Sequence, residues 1–228
     1  MAYILGIETA TTVCSAAITL DGKIVVDKKL YSERSHANEL TLLIQELMNE
    51  ASISFQDLGA IALSEGPGSY TGLRIGTSTA KGLCYGLGLP LITVSTLKAM
   101  AFEVARMTED SNALYAPMID ARRMEVYTAL YTSSMKEELE PQPMILDDSS
   151  FEETLYKNSV FFFGDGSNKF VELASNKSAK FILDVTPSAW AICQLAELKH
   201  QKAEFSDLAY FEPQYLKAFQ TTKPKKLL

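Results

Sequence analysis

The order of strand-like and helix-like runs is the feature that most restricts what this chain can fold into. Residues 3–8, 13–20 and 23–31 are short runs rich in apolar and β-branched residues, a composition typical of strands. Asp21 and Gly22 separate the second run from the third, and this dipeptide favours the positive φ angles of a tight hairpin turn. The sequence therefore predicts three strands, the last two joined as a hairpin, before the first helix.

Helices and strands then alternate along the chain. Apolar residues between 40 and 51 recur at helical spacing, and Ser35 can cap the start of that helix. The polar stretch at 108–112 is the best candidate boundary between two lobes, and the Glu- and Pro-rich stretch at 136–143 carries no clear pattern. The other predicted elements are strands at 60–64, 91–95, 113–120, 125–131 and 160–166, and helices at 73–89, 96–107 and 189–200.

This order predicts an α/β fold of two lobes, each built on a mixed sheet flanked by helices. We expect residues 1–107 to form the first lobe and residues 108–228 the second, with the last segment packing back on the first lobe. The same order is typical of actin-like and sugar-kinase-like proteins, in which the first hairpin approaches a nucleotide phosphate.

The glycine-rich segment EGPGSYTGLRIG, residues 65–76, lies between a predicted strand and a predicted helix. Its glycines permit close approaches that a β-carbon would block, and amides at the start of the helix could face an anion. The spacing matches neither the P-loop nor the dinucleotide fingerprint, so phosphate binding and a simple turn both stay open. Glu8 could lie near a metal-bound phosphate or accept ordinary hydrogen bonds, and Ser69 could be a helix cap. The candidate nucleotide-cleft residues are Glu8, Thr9, Glu65, Gly66, Gly68 and Ser69.

Small residues cover much of the predicted helix after this segment. Gly72, Gly76 and Ala80 follow one another at four-residue steps, and Thr79, Gly82 and Gly86 lie on a neighbouring stripe. Small residues let a second backbone come close, whether that backbone belongs to the chain's own sheet or to a partner. The number of glycines favours close packing and makes a partner surface a hypothesis. Arg74, Asp120 and Arg122 are further polar candidates at strand ends or loops, where ordinary ion pairs are the alternative.

Charge and residue counts argue against several classes of function. The net charge of −7 disfavours nucleic-acid binding by this chain alone, and the lysines near the end, Lys223, Lys225 and Lys226, are more typical of a solvated tail. The two histidines, His36 and His200, are far apart and give no zinc-hydrolase pattern. The three cysteines, widely spaced, indicate reduced thiols.

The N-terminal residues also bear on the cellular location. They lack the positive flank and apolar segment of a signal peptide, and the chain has no apolar run near the roughly 18 residues that a membrane span needs. We therefore expect a cytoplasmic protein with no membrane partner.

Seven segments resemble the TsaB family, formerly called YeaZ. The resemblance is dense in the first half of the chain and sparse in the second, and GPGSYTGLRIG is long enough to be specific. The segments are GIETATT at 6–12, SHANEL at 35–40, GPGSYTGLRIGTSTAKGL at 66–83, GLPLITVSTLKA at 88–99, DARRMEVY at 120–127, GDG at 164–166 and PQYLK at 213–217.

The resemblance implies an actin-like ATPase-domain fold (ASKHA, ribonuclease H-like) and a role in bacterial synthesis of threonylcarbamoyladenosine at position 37 of ANN-decoding tRNAs. In that pathway TsaC makes threonylcarbamoyl-AMP, TsaD transfers the group to adenine N6, TsaE is an ATPase, and TsaB binds and activates TsaD. TsaB is a non-catalytic relative of TsaD, and this kinship explains its old glycoprotease (M22) label. The implied partners are TsaD, TsaE, a second copy when TsaD is absent, and tRNA only within the complex.

The resemblance also implies roles for individual residues. TsaD proteins carry an H-x-x-x-H metal motif after a similar strand, whereas the matching positions here are Thr96 and Met100. A hydroxyl and a thioether are poor substitutes for two imidazoles, so no metal and no catalytic residue is expected. No cofactor is expected to bind tightly, although ATP or ADP could contact the interface with TsaD. The implied partner-interface residues are Gly72, Arg74, Ile75, Gly76, Thr79, Ala80 and Leu83.

Two other classes of function are alternatives to this one. A small-molecule kinase of the same superfamily is the main alternative, although kinases of this fold are usually longer. A metallopeptidase is the third, and the sequence offers no ligands for its metal.

Overall fold

The computed structural model describes residues 2–31 and 36–217 and contains two five-stranded sheets. The strands of the first sheet are β1 (Tyr3–Glu8), β2 (Val13–Leu20), β3 (Lys23–Tyr31), β4 (Leu58–Ser64) and β5 (Leu91–Val94). They lie in the order β3-β2-β1-β4-β5. β3, β2 and β1 are antiparallel, whereas β4 and β5 continue the sheet in parallel with β1.

The second sheet repeats this arrangement. Its strands are β6 (Leu114–Asp120), β7 (Glu125–Tyr131), β8 (Glu137–Ile145), β9 (Val160–Phe163) and β10 (Ala179–Ile182). β8, β7 and β6 are antiparallel, and β9 and β10 continue in parallel with β6. A pair of sheets with one shared topology is the basis of the two-lobed architecture that the sequence predicts.

Helices cover both faces of each sheet. They are α1 (His36–Ala51), α2 (Tyr70–Leu87), α3 (Thr96–Thr108), α4 (Glu152–Lys157), α5 (Asn168–Val171) and α6 (Ala189–Gln201), with a 3₁₀ turn at Phe55–Asp57. α1 and α2 pack on one face of the first sheet and α6 on the other. α3 packs on the second sheet, whose far face is covered by α4 and α5. The order of layers is therefore helices, sheet, helices, sheet, helices.

Local sequence explains where these elements begin and end. Asp21 and Gly22 both have positive φ, as the tight turn between β2 and β3 requires. Ser69 caps α2 by accepting the Gly72 amide at 3.2 Å, and Gly88 ends the same helix in the left-handed conformation. Ser95 caps α3 in the same way as Ser69 caps α2.

The predicted α/β fold of two mixed sheets flanked by helices is confirmed. β1, β2, β3 and β7 begin and end at the predicted residues, and α2 begins three residues earlier than predicted because Ser69 is its cap. β8 occupies the Glu- and Pro-rich stretch that carried no pattern, and α4, α5 and β10 were not predicted. Among the described residues, no helix combines the length and apolarity of a membrane span.

The proposed division at residue 107 stays a prediction, and two contacts bear on it. α6 lies in the predicted second lobe, yet it packs on β1, β2, β4 and β5 of the first sheet. The segment after α6 also returns to the first sheet, where Ser206 forms a bridge with Leu91. Ser35 and the lysines Lys223, Lys225 and Lys226 lie outside the described residues.

Candidate functional site

The glycine-rich segment packs against the turn that follows β1. The Ser69 amide donates to the Ala10 carbonyl at 2.6 Å, and the Thr9 hydroxyl donates to the Gly72 carbonyl at 2.8 Å. A β-carbon at Gly68 would collide with the Ala10 carbonyl, and one at Gly72 with the Thr9 carbonyl. Glycine is therefore required here because two stretches of backbone touch.

Gly76 and Ala80 continue this buried stripe along α2. A β-carbon at Gly76 would collide with the Thr9 hydroxyl, and Ala80 is fully buried in the first core. The close approach predicted for Gly72, Gly76 and Ala80 is thus made to the chain's own first lobe. All three residues are buried in the isolated chain, and their place in a partner interface stays a prediction.

Glu8 ends β1 as a fully buried carboxyl group. Burial raises the pKa of Glu8 to about 7, since charge is poorly solvated in the interior. The Ala10 amide, which donates to Oε1 at 2.5 Å, the Ser64 hydroxyl and the Lys29 ammonium act in the opposite direction without offsetting burial. Glu8 Oε1 thus accepts an ordinary hydrogen bond within the turn after β1, whereas its buried Oε2 has no hydrogen-bond partner among the described residues.

Glu65 and Gly66 are held from two sides. The Glu65 amide donates to the Val94 carbonyl at 3.0 Å, and the Gly66 carbonyl accepts from the Thr96 amide at 2.9 Å. From the other side, the Gln214 amide donates to the Glu65 carbonyl at 2.7 Å. The structure brings three of the six predicted cleft residues, Thr9, Gly68 and Ser69, together at the turn after β1. Glu65 and Gly66 lie instead beside the segment that contains Gln214.

The outward face of α2 differs from its buried stripe. Arg74 is exposed, and Ile75 and Thr79 are half-buried. Leu83, also half-buried, packs against the first core. A shallow groove of about 510 Å³ runs along this face, and its lining residues are Ala37, Tyr70, Thr71, Arg74, Ile75, Ser78 and Thr79.

The same face ends in an open surface around Tyr85. Tyr85 is 86% exposed, and a β-carbon added at Gly82 or Gly86 would meet no atom within 4 Å. The helical spacing predicts both glycines on a neighbouring stripe, and Tyr85 was not among the predicted site residues. A large aromatic between two glycines, out of phase with the apolar face, is the signal that could have identified it.

The polar residues predicted at the second lobe form ion pairs and turns. Asp120 accepts a hydrogen bond from the Arg122 amide at 2.5 Å and pairs with the Lys169 ammonium at 2.6 Å. Asp165, in the GDG segment, accepts the Asp120 amide at 2.9 Å, and burial raises its pKa. These contacts order the turn between β6 and β7 and support the ordinary ion-pair alternative for Asp120, whereas Arg122 takes part only through its backbone amide.

Thr96 and Met100 lie in the interior. The Thr96 hydroxyl is 2.9 Å from that of Ser64, and the Met100 side chain packs in the cluster that joins α3 to the second sheet. Across residues 2–31 and 36–217, no three His, Cys, Asp or Glu side chains are grouped closely enough to hold a metal ion.

Comparison with known proteins gives one family. The model described as "TsaD: tRNA N6-adenosine threonylcarbamoyltransferase" matches residues 30–228. The tRNA threonylcarbamoyladenosine biosynthesis protein TsaB of Escherichia coli is 41% identical over 128 residues, which are 56% of this chain and 54% of that protein. TsaB of Bacillus subtilis is 34% identical over 128 residues, with the same shares. The matched segment thus spans about half the length of these curated relatives.

Solved structures match over more of the chain. YeaZ from Pseudomonas aeruginosa is 26% identical with a TM-score of 0.82, and the match covers 95% of this chain and 100% of that one. A polyphosphate/ATP-glucomannokinase from Arthrobacter is 11% identical with a TM-score of 0.53, over 89% of this chain and 100% of that one. At such low identity the second match shows the shared actin-like fold alone.

Proposed function

This chain belongs to the TsaD family and to its TsaB (YeaZ) branch, and from that premise we propose that it serves tRNA threonylcarbamoyladenosine synthesis as a non-catalytic subunit. It binds and activates TsaD, together with TsaE, for transfer of the threonylcarbamoyl group to N6 of adenosine 37 in ANN-decoding tRNAs. When TsaD is absent, a second copy of the chain takes its place. tRNA contacts the chain only within the complex.

The packing of Thr96 and Met100 supports a non-catalytic role. These two positions match the metal-binding histidines of TsaD proteins, and here both side chains are buried in packed surroundings. A hydroxyl paired with Ser64 and a thioether inside a hydrophobic cluster are not poised to hold a metal ion. In this proposal the transfer chemistry belongs to TsaD.

The proposed partner surface is the outward face of α2. Exposed glycine in a helix interior costs about 1 kcal/mol relative to alanine, and Gly82 meets nothing in its own lobe that offsets this cost. Gly86, in the last turn of α2, is open in the same way. A partner helix that approaches closely over these glycines, with Tyr85 as its aromatic contact, would explain both features. Arg74, Ile75 and Thr79 extend the same surface along the groove beside α1.

We place ATP or ADP at the junction with TsaD and not in the isolated chain. The Ser69 amide already donates to the Ala10 carbonyl, and Gln214 covers Glu65 and Gly66. Contacts within the chain therefore already fill the space around the glycine-rich segment. Calorimetry tests this arrangement directly. Micromolar ATP binding by the isolated chain would contradict it.

The decisive experiment is threonylcarbamoyladenosine formation on a cognate tRNA with TsaC, TsaD, TsaE and ATP, with and without this chain. We expect product only when the chain is present, and none when TsaD is omitted. Full activity without the chain would reject the proposal. ATP turnover by the chain alone on a small-molecule acceptor would instead favour the kinase alternative.

A further inference from the structure

The residues after α6 form a C-terminal strap, residues 206–217, that first follows the edge of the first sheet. The Ser206 amide donates to the Leu91 carbonyl at 2.8 Å, and the Ser206 hydroxyl is 2.9 Å from that of Thr93. Leu208 and Phe211 then pack against the first hydrophobic core. This half of the strap is therefore anchored to the first lobe by backbone pairing and apolar burial.

The strap next crosses the glycine-rich segment. The Gln214 amide donates to the Glu65 carbonyl at 2.7 Å. The Gln214 carbonyl lies against Gly66 so closely that a β-carbon there would be 2.9 Å from it. The Tyr215 ring lies 5.0 Å from the Tyr70 ring at the start of α2. The strap thus covers the loop that joins β4 to α2.

The end of the strap contacts the second lobe. The Lys217 ammonium pairs with the Glu125 carboxylate at the start of β7 and donates to the Ala121 carbonyl at 3.4 Å. It also lies 5.6 Å from the centre of the Tyr127 ring. The Lys217 and Glu125 side chains are 29% and 25% exposed, so the pair is partly shielded from solvent.

We propose that residues 206–217 are a latch that joins the two lobes across the glycine-rich segment, and that the Lys217–Glu125 pair is its releasable end. The anchored half stays on the first sheet when the pair breaks. Residues 212–217 then leave the loop, so that Glu65 and Gly66 become accessible and the lobes lose this connection. Local opening of a short segment needs far less free energy than global unfolding.

Hydrogen exchange of the full-length chain, read by mass spectrometry, tests the latch. Lys217→Gln and Glu125→Gln should each accelerate exchange by about threefold or more in peptides covering 212–217 and 121–127, because release raises the open population. The charge-exchanged double variant, Lys217→Glu with Glu125→Lys, should restore slow exchange. Unchanged exchange at the Gln214 amide in both single variants would overturn the proposal.

Lys136→Gln is the matched control. It removes the same charge from an exposed pair, in which Lys136 lies 2.7 Å from Glu138, and should leave exchange at 212–217 unchanged. Hydrogen exchange in α6 distinguishes a latch from a general effect on stability. If the Lys217 and Glu125 variants accelerate exchange in α6 as much as in the strap, the pair merely stabilises the whole fold and the latch is rejected.

Discussion

Thr9 and Gly72 touch through their backbones, and the Thr9 hydroxyl donates to the Gly72 carbonyl at 2.8 Å. Thr9 follows β1 and Gly72 lies in the first turn of α2, so this contact joins two elements far apart in the chain. A glycine that such a contact requires is structural, whereas a glycine on the open face of the same helix needs another explanation. The two kinds of glycine can be distinguished by stability measurements.

Gly72→Ala is expected to destabilise the protein by about 2–3 kcal/mol. Its β-carbon would collide with the Thr9 carbonyl, and a backbone atom cannot move aside as a flexible side chain can. Gly82→Ala is the matched control, and it should stabilise the protein by about 0.5–1 kcal/mol because the site is open and alanine favours helix. Urea denaturation measures both. Equal effects of the two substitutions would contradict the assignment of the inward and outward faces.

Glu8 should make the protein less stable as pH rises from about 4.5 to about 7. The folded-state pKa is about 7 and the reference value is 4.5, so between these values the folded protein binds a proton that the unfolded chain releases. Stability contributed by this proton is fully present below pH 4.5 and is lost as pH approaches 7. Glu8→Gln should therefore gain stability relative to the wild type as pH rises through this window, by about 3 kcal/mol in total once the pH is above 7.

Denaturation of both proteins at several pH values tests this expectation. Glu46→Gln serves as the control, since the Glu46 side chain is 63% exposed and pairs with Lys28 at the surface. Because exposed ion pairs contribute at most about 1 kcal/mol, this substitution should change the stability little. A difference between Glu8→Gln and the wild type that does not grow with pH would show that Glu8 is ionised in the folded protein.

The first lobe was predictable from the sequence because its signals are local. Alternation, the Asp21–Gly22 turn and helical spacing each depend on neighbouring residues, and β1 to β3 follow them residue by residue. β8 escaped prediction because Pro141 and Pro143 do not suit an ordinary strand. They are tolerated because β8 lies at the edge of its sheet.

The candidate site was only partly predictable, for a physical reason. The glycines of α2 were recognised, but their direction was not, although Leu73, Ala80 and Cys84 lie at helical spacing and mark the buried face. The C-terminal strap was predicted only as a segment that resembles the TsaB family at 213–217 and packs back on the first lobe, and no local pattern indicated its contact with the glycine-rich segment. Backbone hydrogen bonds and single side-chain contacts make up much of its attachment to the two lobes, and such contacts do not repeat along the sequence.

Phe162→Ala should destabilise the second lobe by about 3–5 kcal/mol. Phe162 is fully buried, and its ring centre lies 4.9 Å from that of Phe170, 5.2 Å from Phe151 and 5.5 Å from Phe181. Truncation removes these contacts and leaves a cavity. Phe162→Leu keeps much of the volume and should cost clearly less. Similar losses for the two variants in urea denaturation would mean that the cluster does not depend on the ring.

Tyr85→Asp should weaken partner binding by at least about tenfold without reducing stability. Tyr85 is 86% exposed, so its own lobe does not need the ring, whereas an aspartate in a desolvated helix contact leaves a charge without a partner. Tyr156→Asp is a close control, because Tyr156 is also 86% exposed but lies on α4 in the second lobe. Binding to TsaD by interferometry, and self-association by sedimentation equilibrium, provide the measurements. If Tyr85→Asp and Tyr156→Asp bind TsaD and self-associate alike, the outward face of α2 is not the partner surface, and the cost of Gly82 needs another cause.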